Sequence, residues 1–176
     1  MEHGTAVAKI LDEVRQALVG VDESQARSFV EALAGARRVF VTGQGRSGLI
    51  GAAFATRLAH LGKAAHVVGA PTTPPIGPGE LLVACSGSGR TRVTLLHVEQ
   101  ALDAGAEVWA ITQGSSSPLA AAASHAILFP AAPSAQPGAS LFEQALLLFL
   151  DAVVLGLMER LGQTPQDLPA RHANLE

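Results

Sequence analysis

The stretch Leu81–Thr91, "LLVACSGSGRT", runs five mostly apolar residues into a turn of glycine, hydroxyl and arginine. It has an echo at Val39–Gly48, "VFVTGQGRSG". Both read as a buried strand, a Gly-rich turn carrying hydroxyls, and the start of a helix. Short apolar runs recur around them, "AHVVG", "VWAIT" and "AILF", each bounded by Gly, Ser or Pro as strands are. Helical stretches lie between most of the runs: "GLIGAAFATRLAHLG", "RVTLLHVEQALDAG" and "SPLAAAAS". The first two reach Gly62 and Gly105, suited to the left-handed turn that closes a helix. Strands alternating with helices predict a doubly wound α/β domain, its parallel sheet covered on both faces.

Upstream, Ile10, Val14 and Leu18, then Ala26, Phe29, Val30 and Leu33, recur at helical spacing and are broken at "GVDES", where Asp22 or Ser24 can cap a second helix. Two N-terminal helices over 1–36, an α/β core over 37–130 and a C-terminal helix and tail over 138–176 make one expected domain. The 176 residues, 48% hydrophobic, suit a single core. The most apolar segment, "LFEQALLLFLDAVVLGLM", is interrupted by Glu143, Gln144 and Asp151 and reads as a buried helix, with no membrane span expected. The loop "APTTPPIGPGE", with four prolines, is stiff and reads as a rim.

Charge narrows the partners. Twelve Lys plus Arg stand against 15 acids, with no basic cluster, and aromatics are 4% with no Tyr, so nucleic acid is not an expected partner. The single Cys85 closes no intramolecular disulfide, and "MEHGTAVAKILDEVRQAL" lacks the basic start and apolar middle of a secretory signal, which points to the cytoplasm.

In an open parallel sheet, ligands sit beyond the carboxyl ends of the strands, where turn amides and helix N-termini point outward. Both Gly-rich turns belong there. Gly45 and Gly87 let the backbone approach an anion closely. Ser47, Ser86, Ser88 and Thr91 each bring a hydroxyl donor, and Arg46 and Arg90 flank the turns with charge available for a phosphate or for a surface ion pair. This cradle suits a monophosphate. The P-loop pattern of nucleoside triphosphate sites is absent, and no acid ends the strand after "GQGRSG", as a nicotinamide ribose would require. For one such turn, capping and chain reversal are a sufficient explanation; two in register favour a ligand.

Taken together, "GQGRSG", "APTTPPI", "SGSGRT", "SLFEQ" before a long apolar helix, and the closing "RHANLE" resemble the 6-phospho-3-hexuloisomerases, a family of the sugar isomerase (SIS) domain superfamily. The resemblance covers nearly the whole chain, with "QPGASLFEQ" standing where the family often has a Met-Gly-Thr element. It implies a three-layer αβα sandwich with a five-stranded parallel sheet, flavodoxin-like. It also implies an intramolecular oxidoreductase, a ketose phosphate isomerase interconverting D-arabino-3-hexulose 6-phosphate and fructose 6-phosphate in the formaldehyde-fixing ribulose monophosphate pathway. No metal or organic cofactor is implied. The implied partners are the phosphosugar, further copies of the chain (a homotetramer) and, functionally, hexulose 6-phosphate synthase. The alternatives are a non-catalytic phosphosugar sensor and an SIS aldose-ketose isomerase such as one acting on arabinose 5-phosphate.

Moving a carbonyl from C3 to C2 means taking the C2 proton, passing through an enediolate, and returning a proton to C3, which needs one base and a proton-shuttling partner. A carboxylate in a dry site suits the base. By resemblance, Glu143 takes that role; by local pattern alone, Ser140 and Glu143 form a capping box at the helix start. His172 in "RHANLE" is a candidate proton shuttle by the family ending. His60, about 13 residues from Ser47 along its helix, is roughly 20 Å from its own cradle and could act only from another subunit. His66, His97 and His125 show no metal-ligand spacing. Thr72 and Thr73 in the Pro-rich loop are candidates for sugar hydroxyls or for turn formation.

Overall fold

The computed structural model describes residues 2–172. Two helices, α1 (His3–Val19) and α2 (Glu23–Gly35), precede the alternating unit. Then follow β1 (Val39–Gly43), α3 (Gly45–His60), β2 (Ala65–Val67), β3 (Leu81–Cys85), α4 (Arg92–Asp103), β4 (Glu107–Gln113), α5 (Pro118–Ala122), β5 (His125–Phe129) and α6 (Ser140–Arg160). Two short 3-10 turns, Pro165–Asp167 and Pro169–Arg171, close the described chain. Asp22 is the cap of α2, its carboxylate accepting from the amides of Ser24 and Gln25 at 2.8 and 3.0 Å. Gly62 and Gly105 each stand one residue past a helix cap with φ of 82° and 78°. That is the left-handed corner in which glycine is unstrained.

All five strands pair in parallel, in the order β2-β1-β3-β4-β5. The central strand β3 is buried along its whole length, and alternate side chains serve the two faces. Leu81, Val83 and Cys85 join the larger core under α1, α2, α3 and α6. Leu82 and Ala84 join the smaller one with Val98, Ala101 and Leu119 of α4 and α5. The result is three layers, helices on both sides of one sheet, as expected.

Helix α6 is long and apolar enough to cross a membrane, but most of its apolar window is buried within the molecule against α1, α2 and α3. Near its start, the Phe142 ring packs against that of Phe129 of β5 at 5.7 Å, tilted by 52°, and Phe129 meets Phe149 edge-on at 5.5 Å. A Cβ built on Gly87 would sit 2.9 Å from the Phe142 ring, so the turn after β3 touches this end of α6. That packing fixes where the next residue, Glu143, emerges.

Candidate active site

With the order 2-1-3-4-5, the chain leaves β1 toward β2 on one side and returns to β3 on the other, so the turns after β1 and β3 diverge. The crevice between them is the usual ligand position of such sheets. Both Gly-rich turns start there, from the paired strand ends Gly43 and Cys85. After β1, Gly43 and Gly48 meet backbone to backbone: a Cβ on Gly48 would be 2.6 Å from the Gly43 carbonyl oxygen. This contact brings the first turn of α3 over the strand end and buries Ser47, while Gln44, Gly45 and Arg46 stay exposed. Gly45 adopts φ 58° with open space around it.

After β3, the turn is tied down on every side. The Gly89 amide donates to Ser86 O at 3.1 Å, Gln113 N to Gly87 O at 3.1 Å, and Leu119 N to Gly89 O at 3.0 Å. The Thr112 hydroxyl also reaches Gly87 O, at 3.4 Å. The Ser86 and Thr91 hydroxyls lie 3.0 Å apart and share one hydrogen bond, which leaves one of their two hydrogens for a ligand. Ser88 accepts from the Arg90 amide at 3.2 Å and keeps its own O–H to donate. Gly45 and Ser47 thus belong to the turn after β1 and Ser86, Gly87, Ser88 and Thr91 to the turn after β3, both starting from the paired strand ends Gly43 and Cys85, and Arg90 is exposed.

Glu143 is 7% exposed, in the first turn of α6. Its carboxylate does not close a capping box. The cap position is Ala139 without a side-chain bond, and the Ser140 hydroxyl donates instead to Pro137 O at 2.8 Å. Glu143 pairs with Arg46, whose Nε donates to Oε2. An ion pair across the crevice has displaced the local pattern, because a nearly buried carboxylate needs a countercharge more than a helix end needs one more cap. Beside it, the side-chain oxygen of Gln144 is buried without a hydrogen-bond partner among the described residues.

The histidine candidates lie elsewhere. His60 ends α3, and its ring stacks on that of His172 at 4.0 Å and 22°. The Arg171 guanidinium donates to His60 O at 3.2 Å. Arg46 and Ser47 stand in the first turn of α3 and His60 ends it, so at about 1.5 Å per residue this pair lies roughly 20 Å from them. Within one chain, therefore, Glu143 and His172 are at opposite ends of α3. Residues 173–176 of "RHANLE" lie outside the described residues.

Two features escaped the sequence. His97 of α4 meets the Thr42 hydroxyl at 2.7 Å, clamping α4 to the end of β1 under the first turn; burial pushes the His97 imidazole below its ordinary value. The only local hint was a polar residue at the end of an otherwise apolar strand. Glu80, with no exposed side-chain surface, takes Arg38, Arg37 and the Gly77 amide. The Arg38 hydrogen bond holds its carboxyl below the usual range, and Arg38 also donates to Pro75 O at 2.9 Å. This network anchors the Pro-rich loop at the amino ends of β1 and β3, the end of the sheet opposite the two turns. Within that loop the Thr73 hydroxyl donates to Val67 O at 2.7 Å, a turn contact. Cys85, fully buried, has its thiol pushed up to about 12 by desolvation.

The SIS domain matches residues 32–155. The chain belongs to the SIS-domain family. Within it, the chain is 37% identical over 179 residues to a 3-hexulose-6-phosphate isomerase of Bacillus subtilis, covering 97% of each chain. It is 39% identical over 175 residues to that of Mycobacterium gastri, covering 95% of this chain and 88% of the other. A solved hypothetical protein from Methanococcus jannaschii, for which a molecular function of 3-hexulose-6-phosphate isomerase was inferred, superposes with a TM-score of 0.89 at 30% identity. That match covers 98% of this chain and 99% of the other.

Proposed function

We infer that this protein is a phosphosugar isomerase that interconverts D-arabino-3-hexulose 6-phosphate and fructose 6-phosphate. The observation that carries this is a nearly buried carboxylate, Glu143, paired with Arg46 of the first hydroxyl-bearing turn and next to Phe142, which packs on Gly87 of the second. The identity of 37–39% to 3-hexulose-6-phosphate isomerases along almost the entire chain supplies the particular substrate. In this mechanism Ser86, Ser88 and Thr91 hold the phosphate, with Ser47 and the α3 amides completing the cradle. Glu143 takes the C2 proton; the electron pair left behind forms the C2=C3 double bond of the enediolate and moves charge onto the C3 oxygen; the O2 hydroxyl proton passes to O3, and as the carbonyl forms at C2 the carboxylic acid of Glu143 returns a proton to C3. This sequence requires a base and hydrogen-bond donors, and no metal or organic cofactor.

His172 or His60 would serve as proton shuttle from a neighbouring subunit, since neither reaches the Glu143 of its own chain. The apolar side chains Leu147, Leu148 and Leu155, exposed on α6, support a homo-oligomer, which the family resemblance makes a tetramer. Work in the cytoplasm, downstream of hexulose 6-phosphate synthase in formaldehyde fixation, completes the assignment. The test is coupled turnover: formaldehyde and ribulose 5-phosphate are fed to the synthase, and fructose 6-phosphate is measured on adding this protein. Formation at enzymic rates supports the isomerase; phosphosugar binding without turnover makes the protein a sensor.

A further inference from the structure

Two demands meet at Arg46. It stands in the first turn of α3, where its guanidinium flanks the anion cradle, yet its Nε donates to Oε2 of Glu143, the carboxylate assigned above as the base. The Arg46 side chain is 66% exposed, while that of Glu143 is 9% exposed. One partner is therefore a long, solvated arm and the other is fixed in the helix. While the pair stands, part of the carboxylate's acceptor capacity is engaged by a cation and is turned away from a carbon-bound proton. Simply breaking it would leave a nearly buried carboxylate uncompensated. A phosphate entering the cradle changes that balance, because it offers the guanidinium a second anion with geometry suited to paired N–H donors.

We propose that Arg46 exchanges partners, passing from the Glu143 carboxylate to the substrate phosphate, so that phosphate binding releases the base. This rests on the assignment of Glu143 as base and adds a specificity device to it. A sugar without phosphate would then lose in kcat as well as in KM, since nothing draws Arg46 away.

The exchange makes Glu143 a competitor of phosphate for one cation, which is measurable without turnover. Inorganic phosphate is titrated calorimetrically into the purified full-length chain as wild type, Glu143→Gln, Arg46→Gln and the double variant. The expected result is about tenfold tighter phosphate binding in Glu143→Gln, about 1.4 kcal/mol. Arg46→Gln should bind more weakly than wild type, and adding Glu143→Gln to it should change nothing. Equal or weaker binding by Glu143→Gln overturns the exchange in favour of an arginine that bridges both anions. Tightening of the same size in the Arg46→Gln background overturns it in favour of plain repulsion between carboxylate and phosphate. If none of the four proteins binds phosphate, the exchange fails together with the cradle, whereas the turnover assay above judges the isomerase independently. Kinetics add a second readout: Arg46→Gln should raise KM about tenfold and leave kcat within about threefold. A collapse of kcat with KM unchanged contradicts the exchange.

Discussion

The turns after β1 and β3 share a sequence pattern and are held in different ways. The second is fastened by backbone and hydroxyl bonds to β4 and to the start of α5, and has no room for a single added carbon at Gly89. The first touches its strand through one glycine pair and then leaves Gln44, Gly45 and Arg46 to solvent. A tied-down turn suits the part of a substrate that does not react, because its donors are placed before binding and nothing is reorganised. A loosely held turn suits the part where a contact must change during reaction. In the proposed mechanism one turn is thus the anchor, and the other carries the moving contact to Glu143.

The largest expected effect comes from the carboxylate that faces the loose turn. Glu143→Gln should lower kcat about 10²–10⁴-fold. Its melting temperature should stay close to wild type, because Glu143 makes no cap bond at the start of α6. A melting curve and a turnover assay on one preparation check both halves. Next, the anchor should be intolerant of any side chain at Gly89. With φ at 60°, an alanine Cβ would fall 2.5 Å from Ser117 Cβ and 2.8 Å from Thr112 Oγ1. Left-handed strain and overpacking together cost roughly 3 kcal/mol, a fall of roughly 6–12 °C by calorimetry. Gly45→Ala in the loose turn meets nothing within 4 Å and bears only the strain of φ 58°. It should cost about 1–2 kcal/mol. Equal losses at the two glycines would erase the contrast between the turns.

Ser86→Ala removes an anchor hydroxyl and should raise KM about 10–100-fold, the equivalent of a hydrogen bond to a charged group, with kcat little changed. The smallest effect concerns the support beneath the loose turn. Burial lowers the His97 imidazole from its ordinary value of 6.5, so on acidification the unfolded chain takes up a proton before the folded one. Stability from this site is complete above about 6.5 and is lost as pH falls through the folded value. His97→Gln should flatten that part of the curve of melting temperature against pH relative to wild type.

How far the fold was legible follows from how local its signals are. Each strand is a short apolar run with a breaker on either side, and β3 is apolar on both faces because it is covered on both faces. Asp22, Gly62 and Gly105 mark helix ends through their own backbone chemistry. The hydroxyl turns were legible for the same reason, since strand, turn and helix are contiguous. The pairing of Arg46 with Glu143 joins residues 97 apart in sequence, and no spacing rule reaches that far. Local pattern even pointed the other way, toward a Ser140–Glu143 capping box, because it omits the cost of burying a carboxylate without a countercharge. Likewise, nothing in "RHANLE" announces that His172 stacks on His60 at the far end of α3. That contact keeps both rings at the opposite end of α3 from Glu143 of the same chain.

The most direct test of Glu143 as the base of an enediolate isomerase is hydrogen exchange at the reacting carbon. Fructose 6-phosphate is incubated in D2O with wild type or Glu143→Gln, and deuterium at C3 is followed by NMR. Deuterium entering C3 with wild type, and slowed at least a hundredfold by a folded Glu143→Gln, is the predicted result. Exchange by Glu143→Gln at the wild-type rate would contradict it and place the base on another residue.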